Sequence, residues 1–298
     1  MSTASALGSP GAGPAPAARA ARRTFRRPSA LPGFRLTFGF AVAYLSLLVL
    51  IPLAVLLLRA SAIGPAGLWA LLTDARNLAA LRTSFGLSLA AAAIDAVFGL
   101  LIAWVLTRYR FPGRRVIDAL VDLPFALPTA VAGICLATLY SGNGWLGAPL
   151  EALGLKVAYT PLGILVALVF VGLPFCVRTV QPLVAEIDKS SEEAAAILGA
   201  SRPRALATVI LPPLLPAVLT GFALAFARAV GEYGSVIFVA GNLPYVSEIA
   251  PLLIVIKLEE FNYTGATAIA AVMLLMSFGA LLTINLIQDH SRRRFGHV

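Results

Sequence analysis

Histidine is almost absent from this 298-residue sequence, cysteine occurs twice, and the dipeptide Gly-Lys does not occur at all. Each absence removes a class of chemistry. His290 and His297 both stand near the C-terminus, and Cys135 and Cys176 lie in apolar runs without metal-ligand or redox spacing, so a metal centre is not expected. The cysteines read as small buried packing residues. Without Gly-Lys there is no phosphate-binding loop of the GxxxxGK[ST] type, and the chain is not expected to hydrolyse ATP by itself. Charge is scarce as well, at 12% of residues. The acidic residues inside apolar runs are scattered, so the paired carboxylates or activated nucleophile of an integral-membrane enzyme are missing.

What is present is apolar. Hydrophobic residues make up 59% of the chain and the mean hydropathy is +0.88, values foreign to a soluble domain. A membrane-crossing helix needs roughly 20 apolar residues. Six runs qualify, near 37–59, 84–107, 119–140, 161–183, 209–235 and 264–287. The expected fold is therefore all-α and integral to the membrane. The piece SEIAPLLIVIKL, cut by Pro251 and Lys257, is too short for a seventh span and reads as an interfacial or re-entrant helix. Residues 1–36 form a basic tail rich in Ala, Pro and Arg, expected to be disordered and without a signal peptide; 37–290 is the membrane domain, and 291–298 a basic end.

The net charge of +9 raises nucleic acid as a partner, but the positions of the charges argue otherwise. With both termini in the cytosol, 17 of the 23 basic residues fall on the cytosolic side, Arg178 counted among them. That bias is the ordinary signature of orientation in a bilayer. RRTFRR at 22–27 and SRRR at 291–294 flank spans, where they sit beside anionic lipid. No nucleic-acid partner is expected.

Between two apolar runs lies EEAAAILGASRPRALATVILP, residues 192–212. Ser190 with Glu193 gives a capping box for a first short helix, Gly199 permits a turn, and Ser201 before Pro203 can cap a second. The result is a helical elbow within 186–212. Its alanines allow close approach by another protein, whereas a DNA-reading helix would present Arg, Asn or Gln.

Glu193-Ala194-Ala195, Gly199, Val209 and Leu211-Pro212 resemble the EAA loop of binding-protein-dependent ABC importer permeases, with Val209 where Ile is usual. The pieces LVDLPFALPTAVAG (120–133), GLPFCVRTVQPL (172–183), GEYGSVIFVAGNLP (231–244) and EIAPLLIVIKLE (248–259) are similar to the T-type subunit of sulfate/thiosulfate permeases. The resemblance covers about residues 40–290 and implies the type I ABC importer permease fold, with six spans. It implies that Glu193, Ala194, Ala195 and Gly199 seat in a groove of a cytosolic ABC ATPase, present in two copies, which uses ATP and Mg while this chain binds no cofactor. It implies also a second permease subunit of the W type, a periplasmic or extracellular sulfate-binding protein, a place in the bacterial cytoplasmic (inner) membrane, and alternating access as the mechanism. Molybdate/tungstate permeases share the EAA loop and a GE-aromatic-G segment like Gly231–Gly234; the outer piece after GNLP favours sulfate. A passive anion channel is the reading from a different class.

Polar residues inside spans mark packing, gates or aqueous paths. Asp95 falls mid-span, for helix packing, gating through a hydrogen-bonded partner, or lining the path; its charge disfavours direct contact with sulfate. Arg228 and Glu232, four apart, are expected to pair on one helix face, although an exposed Arg228 would instead attract a dianion. Pro124 and Pro128 break or kink the third span and free carbonyls. Thr129 and Ser235 are small donors suited to an oxyanion path. Asn242 and Tyr245 in the outer loop meet a delivering protein or cap backbone.

Overall fold

The computed structural model describes residues 34–295. All but the last three residues of the expected tail 1–36, and residues 296–298 of the basic end, lie outside the described residues. Two units divide the chain, Met1–Pro52 and Leu53–Val298. The described part of the first is helix α1 (Phe34–Leu45), a π turn over Ser46–Leu50, and the opening of α2 (Ile51–Ser61).

The second unit continues with α3 (Gly64–Thr73), α4 (Ala75–Arg108), α5 (Arg114–Val121), α6 (Leu123–Ala126), α7 (Thr129–Tyr140) and α8 (Gly147–Ala152). Then come α9 (Pro161–Glu186), α10 (Lys189–Ile197), α11 (Arg202–Ala205), α12 (Leu211–Val230), α13 (Val236–Val239), α14 (Ala250–Glu259) and α15 (Tyr263–Phe295). Every described element is helical, as expected.

Among the described residues five helices, not six, are long and apolar enough to cross a membrane: Leu36–Ser61, Ala75–Arg108, Pro161–Glu186, Arg202–Val230 and Tyr263–Gln288. The run at 119–140 is the exception. Pro124 lies in the first turn of α6, Leu127, the residue just before Pro128, is forced into extended backbone at φ −86°, ψ 134°, and α7 restarts at Thr129 with only 12 residues. A proline disfavours helical geometry at the residue before it and removes a donor, so the apolar run becomes separate pieces.

Helix α4 begins nine residues before the expected boundary because Asp74 caps it, its carboxylate accepting from the Arg76 and Asn77 N–H groups at 3.1 and 3.0 Å. Thr160 caps α9 in the same way, with Pro161 in the first turn. Arg178 lies inside α9 rather than in a cytosolic loop, which removes it from the charge count.

Helices α4, α9 and α12 pack against one another as the core of the second unit. Buried Ser84, Ser88, Ala91, Ala92, Asp95, Gly99 and Ala103 recur at helical spacing along α4. Small residues let backbones approach closely, the usual device for association where lipid offers no hydrophobic driving force. The approach is close around Cys176: a Cβ on Gly99 would lie 2.5 Å from its Cβ, and one on Gly221 only 2.9 Å from its Cα. Cys176 is buried as expected, but Cys135 is exposed, because α7 turns Ala132, Gly133 and Ala137 inward instead. At the far end Arg76 forms a bidentate pair with buried Glu248 at 2.9 and 2.7 Å, and Ser84 Oγ accepts from the Ala250 N–H at 2.8 Å, fixing the start of α14. With ten residues, α14 is too short to span, as its sequence indicated.

Candidate functional site

Two places gather the residues singled out by sequence, and Asp95 occupies a third. The first is the elbow. Helix α10 starts at Lys189, and its cap is Asp188, whose carboxylate accepts from the Ser190 N–H at 3.1 Å; the expected Ser190–Glu193 capping box does not form. Asp displaces Ser because it stands two positions earlier with a full charge at the positive helix end. Ser201 precedes α11 as expected but makes no capping hydrogen bond. Gly199 sits at φ +80°, in the left-handed region that closes the helix without a Cβ penalty. Glu193 and Ala194 face outward, Ala195 is buried, and Ile197 and Leu198 are 86% and 87% exposed.

The elbow is fixed to α4 by Arg108, which the sequence reading missed as a functional residue. Its guanidinium donates to the Ile187 carbonyl at 2.9 Å, pairs with Glu192 at 3.1 Å and stacks over Trp104 at 5.1 Å. A second arginine, Arg178, ties α9 to the segment before the helix break. It donates to both carboxylate oxygens of Asp122 at 2.7 and 2.6 Å, and to Asp118 Oδ1 and Gln181 Oε1 at 2.6 Å each. Hydrogen bonding from Arg178 holds the Asp118 carboxyl below its ordinary range. The i, i+4 spacing of Asp118 and Asp122 was the available signal for this partner.

The second place is where two interrupted helices meet. Pro128 and Thr129 open α7, and α7 packs against α13, which follows the break after α12. A Cβ on Gly234 would stand 2.3 Å from Thr129 Oγ1, and one on Gly133 would stand 2.3 Å from the Ser235 carbonyl oxygen. Thr129 and Ser235 are therefore brought together with Pro128. Helix α12 ends at Val230, five residues short of the expected boundary, so Glu232 and Ser235 lie beyond it. Arg228 and Glu232 do pair, but across the helix end instead of along a helix face. The buried Glu232 carboxylate also accepts from the Ser235 N–H at 2.9 Å and its hydroxyl at 2.8 Å. Gly231 and Gly234 let the backbone turn back, and Glu232 completes the turn. Pro124 lies away from this junction, in α6, whose Phe125 packs edge-on against Phe175 of α9.

Asp95 sits apart, 0% exposed on α4, with neither carboxylate oxygen hydrogen-bonded among the described residues. Gly172 and Cys176 lie beside it. In the loop between α13 and α14 the Asn242 amide donates to the Ile237 carbonyl at 2.9 Å, capping backbone, and Tyr245 is exposed. Among the described residues no group of three or more His, Cys, Asp or Glu could hold a metal ion.

Comparison with known proteins follows the same lines. The family model described as binding-protein-dependent transport system inner membrane component matches residues 95–297. A sulfate transport system permease protein CysT from Synechococcus elongatus is 51% identical over 87% of this chain and 94% of its own. The protein of that name from Escherichia coli K12 is 47% identical over 90% of this chain and 97% of its own. In fold, the chain is similar to one in the crystal structure of a bacterial alginate ABC transporter in complex with alginate pentasaccharide-bound periplasmic protein, with a TM-score of 0.69, 16% identity, and coverage of 89% and 95% of the two chains. The helical elbow, the interrupted helices and these matches along nearly the whole sequence place the chain in the family of binding-protein-dependent transport system inner membrane components, among the CysT-type sulfate transport permeases.

Proposed function

We propose that this chain is a membrane subunit of an ATP-driven importer that takes sulfate or thiosulfate from a binding protein and passes it into the cytosol of a bacterium. The observation that carries the reading is the likeness to CysT-type permeases at 51% identity over 87% of the chain. ATP and Mg are used by a separate ATPase, two copies of which dock on the paired membrane subunits. Glu193, Ala194, Ala195 and Gly199 form this chain's share of that contact, with Ile197 and Leu198 as exposed apolar anchors. The second membrane subunit is of the W type, giving a heterodimer.

In this reading both termini lie in the cytosol, supported by the bias of basic residues. The broken segment 123–140 supplies a sixth crossing in two pieces, since interrupted backbone is tolerated at membrane depth where it is covered by protein or lines a cavity. The meeting of α7 with the turn after α12 is the proposed path element. There Thr129 and Ser235 offer hydroxyls to an oxyanion, and Arg228, a third exposed beside Glu232, supplies positive charge. Asp95 serves packing or gating.

The test is uptake of radiolabelled sulfate into proteoliposomes holding this chain with its second permease, ATPase and binding protein. The expected result is uptake that requires both ATP and binding protein and is competed by thiosulfate. Molybdate uptake without sulfate uptake would replace the substrate and keep the transporter, and uptake without ATP would make the chain a channel.

A further inference from the structure

Three arginines at the α4–α5 corner form no ion pair among the described residues, and the surface around them has two chemistries side by side. The apolar stretch of α4 runs from Thr83 to Thr107, and Trp104 and Tyr109 mark its end with amphipathic rings of the kind that settle at the membrane–water boundary. Arg110, Arg114 and Arg115 follow at once, so they stand at headgroup level. Among the described residues none of the three forms an ion pair. The carboxylates of the same stretch, Asp118 and Asp122, are both hydrogen-bonded by Arg178, and Arg114 acts on Asp118 through charge alone, without an ion pair.

The three arginines line, with Phe111, Gly113 and Val116, an open depression of about 410 Å³. That volume falls within the ~300–1,000 Å³ usual for small-ligand sites. Gly113, at φ +83°, makes the left-handed turn that brings Arg110 back beside Arg114 and Arg115. Immediately beyond, α5 divides sharply: Asp118 and Val121 turn toward α9, whereas Val116, Ile117 and Leu120 are exposed. A helix that is basic at one end and apolar on its outer face lies in the plane of a bilayer surface.

We propose that this corner is a binding site for an anionic phospholipid, its phosphate held by Arg110, Arg114 and Arg115 and its acyl chains laid along Val116, Ile117 and Leu120. The proposal rests on α4 crossing the membrane and not on which substrate is carried. Charge complementarity selects an anionic headgroup, and the contiguous apolar face selects a lipid over a free oxyanion, which would have no use for it. The site fixes α5 against the membrane while Arg178 fixes it against α9, so the segment leading into the helix break is held from both sides.

The experiment is native mass spectrometry of the purified full chain, released from nanodiscs of equal phosphatidylglycerol and phosphatidylcholine. A companion R110Q/R114Q/R115Q variant and a lysine triple at the same positions are measured alongside. Each arginine at an anionic surface is worth roughly fivefold in affinity, so about a hundredfold loss is expected for the three. The expected result is selective retention of phosphatidylglycerol by the parent chain, lost in the glutamine triple and restored in the lysine triple. Equal retention of the two lipids by the parent chain, or undiminished phosphatidylglycerol on the glutamine triple, would overturn the proposal. Displacement of the bound lipid by millimolar inorganic phosphate would overturn it in favour of a free-anion site. Unchanged lipid retention with loss of ATPase copurification would assign the arginines to the ATPase instead. Sulfate uptake is read separately, so a wrong substrate does not register here as a failed lipid site.

Discussion

The contact between Gly172 and Asp95 offers the sharpest test of how the core is packed. A Cβ on Gly172 would lie 2.1 Å from Asp95 Oδ2, more than an ångström inside ordinary contact, and 3.4 Å from the Ala225 Cβ on the other side. Asp95 is fully buried, so its carboxyl has no open side to swing into. Gly172→Ala must therefore push α4 and α9 apart or twist the Asp95 side chain off its rotamer. Overpacking of this kind costs about 1–3 kcal/mol. Alanine also gains about 1 kcal/mol over glycine in helix propensity, which masks part of the loss in the single variant. The double-mutant cycle with Asp95→Ala removes that complication, because the propensity term is the same in both backgrounds. The coupling should be about 1–3 kcal/mol, with Asp95→Ala rescuing Gly172→Ala. Unfolding of the purified chain in mixed micelles, followed by tryptophan fluorescence, measures each corner of the cycle. A coupling below about 0.5 kcal/mol would show that the two residues do not meet, and the close approach of α4 to α9 would be wrong.

Other perturbations probe the remaining contacts. Arg108→Gln removes the bond to the Ile187 carbonyl and the pair with Glu192, each charge-assisted, and should loosen the elbow by about 2 kcal/mol; hydrogen exchange across residues 187–198 should rise while that of α9 stays unchanged. Ile197→Ala with Leu198→Ala should leave the melting temperature unaltered, both side chains being exposed, yet weaken ATPase copurification at least tenfold. Glu232→Gln leaves Arg228 without its counter-charge; because Arg228 is one-third exposed, the cost should be about 2 kcal/mol, below the range for fully buried pairs, and a thermal melt reads it. The Asp118 carboxyl is depressed in the folded state, so its contribution is present above the ordinary carboxylate pKa and is lost as pH falls through the lowered value. Acid should accordingly release α5 from α9, detectable as increased proteolysis near residue 118, and Asp118→Asn should give the same result at neutral pH.

The spans were legible where composition alone decides the outcome. Runs near 161–183 and 264–287 match the apolar spans Pro161–Glu186 and Tyr263–Gln288 within a few residues, because nothing in them competes with a continuous helix. The run at 119–140 shows the limit: a hydropathy count cannot distinguish a span from two pieces, whereas the prolines at 124 and 128 held that information and gave the break its position. The end of α12 was misplaced for a related reason. Arg228 and Glu232 are spaced as helix neighbours, but Gly231 makes ending the helix inexpensive, and Glu232 then finds the Ser235 N–H across the turn. At the elbow the sequence located the turn at Gly199, but the competition between Asp188 and Ser190 for the cap depends on a two-residue offset. Arg108 and Arg178 were counted only as positive charge. Their partners on other helices lie 56 to 84 residues away, at separations no local pattern encodes.

The pair formed by Arg76 and Glu248 has a consequence for how the protein is made. Its members are 172 positions apart. At ribosomal speeds of ~5–20 residues per second, Arg76 leaves the ribosome roughly 10–30 s before its counter-charge exists. Throughout that interval the first turn of α4 carries an unmatched guanidinium, and Ser84 waits equally long for the Ala250 N–H. Closure of this end of the molecule is therefore among the last acts of biogenesis, and a nascent chain stalled before residue 248 would carry its long helices without the clasp that joins them.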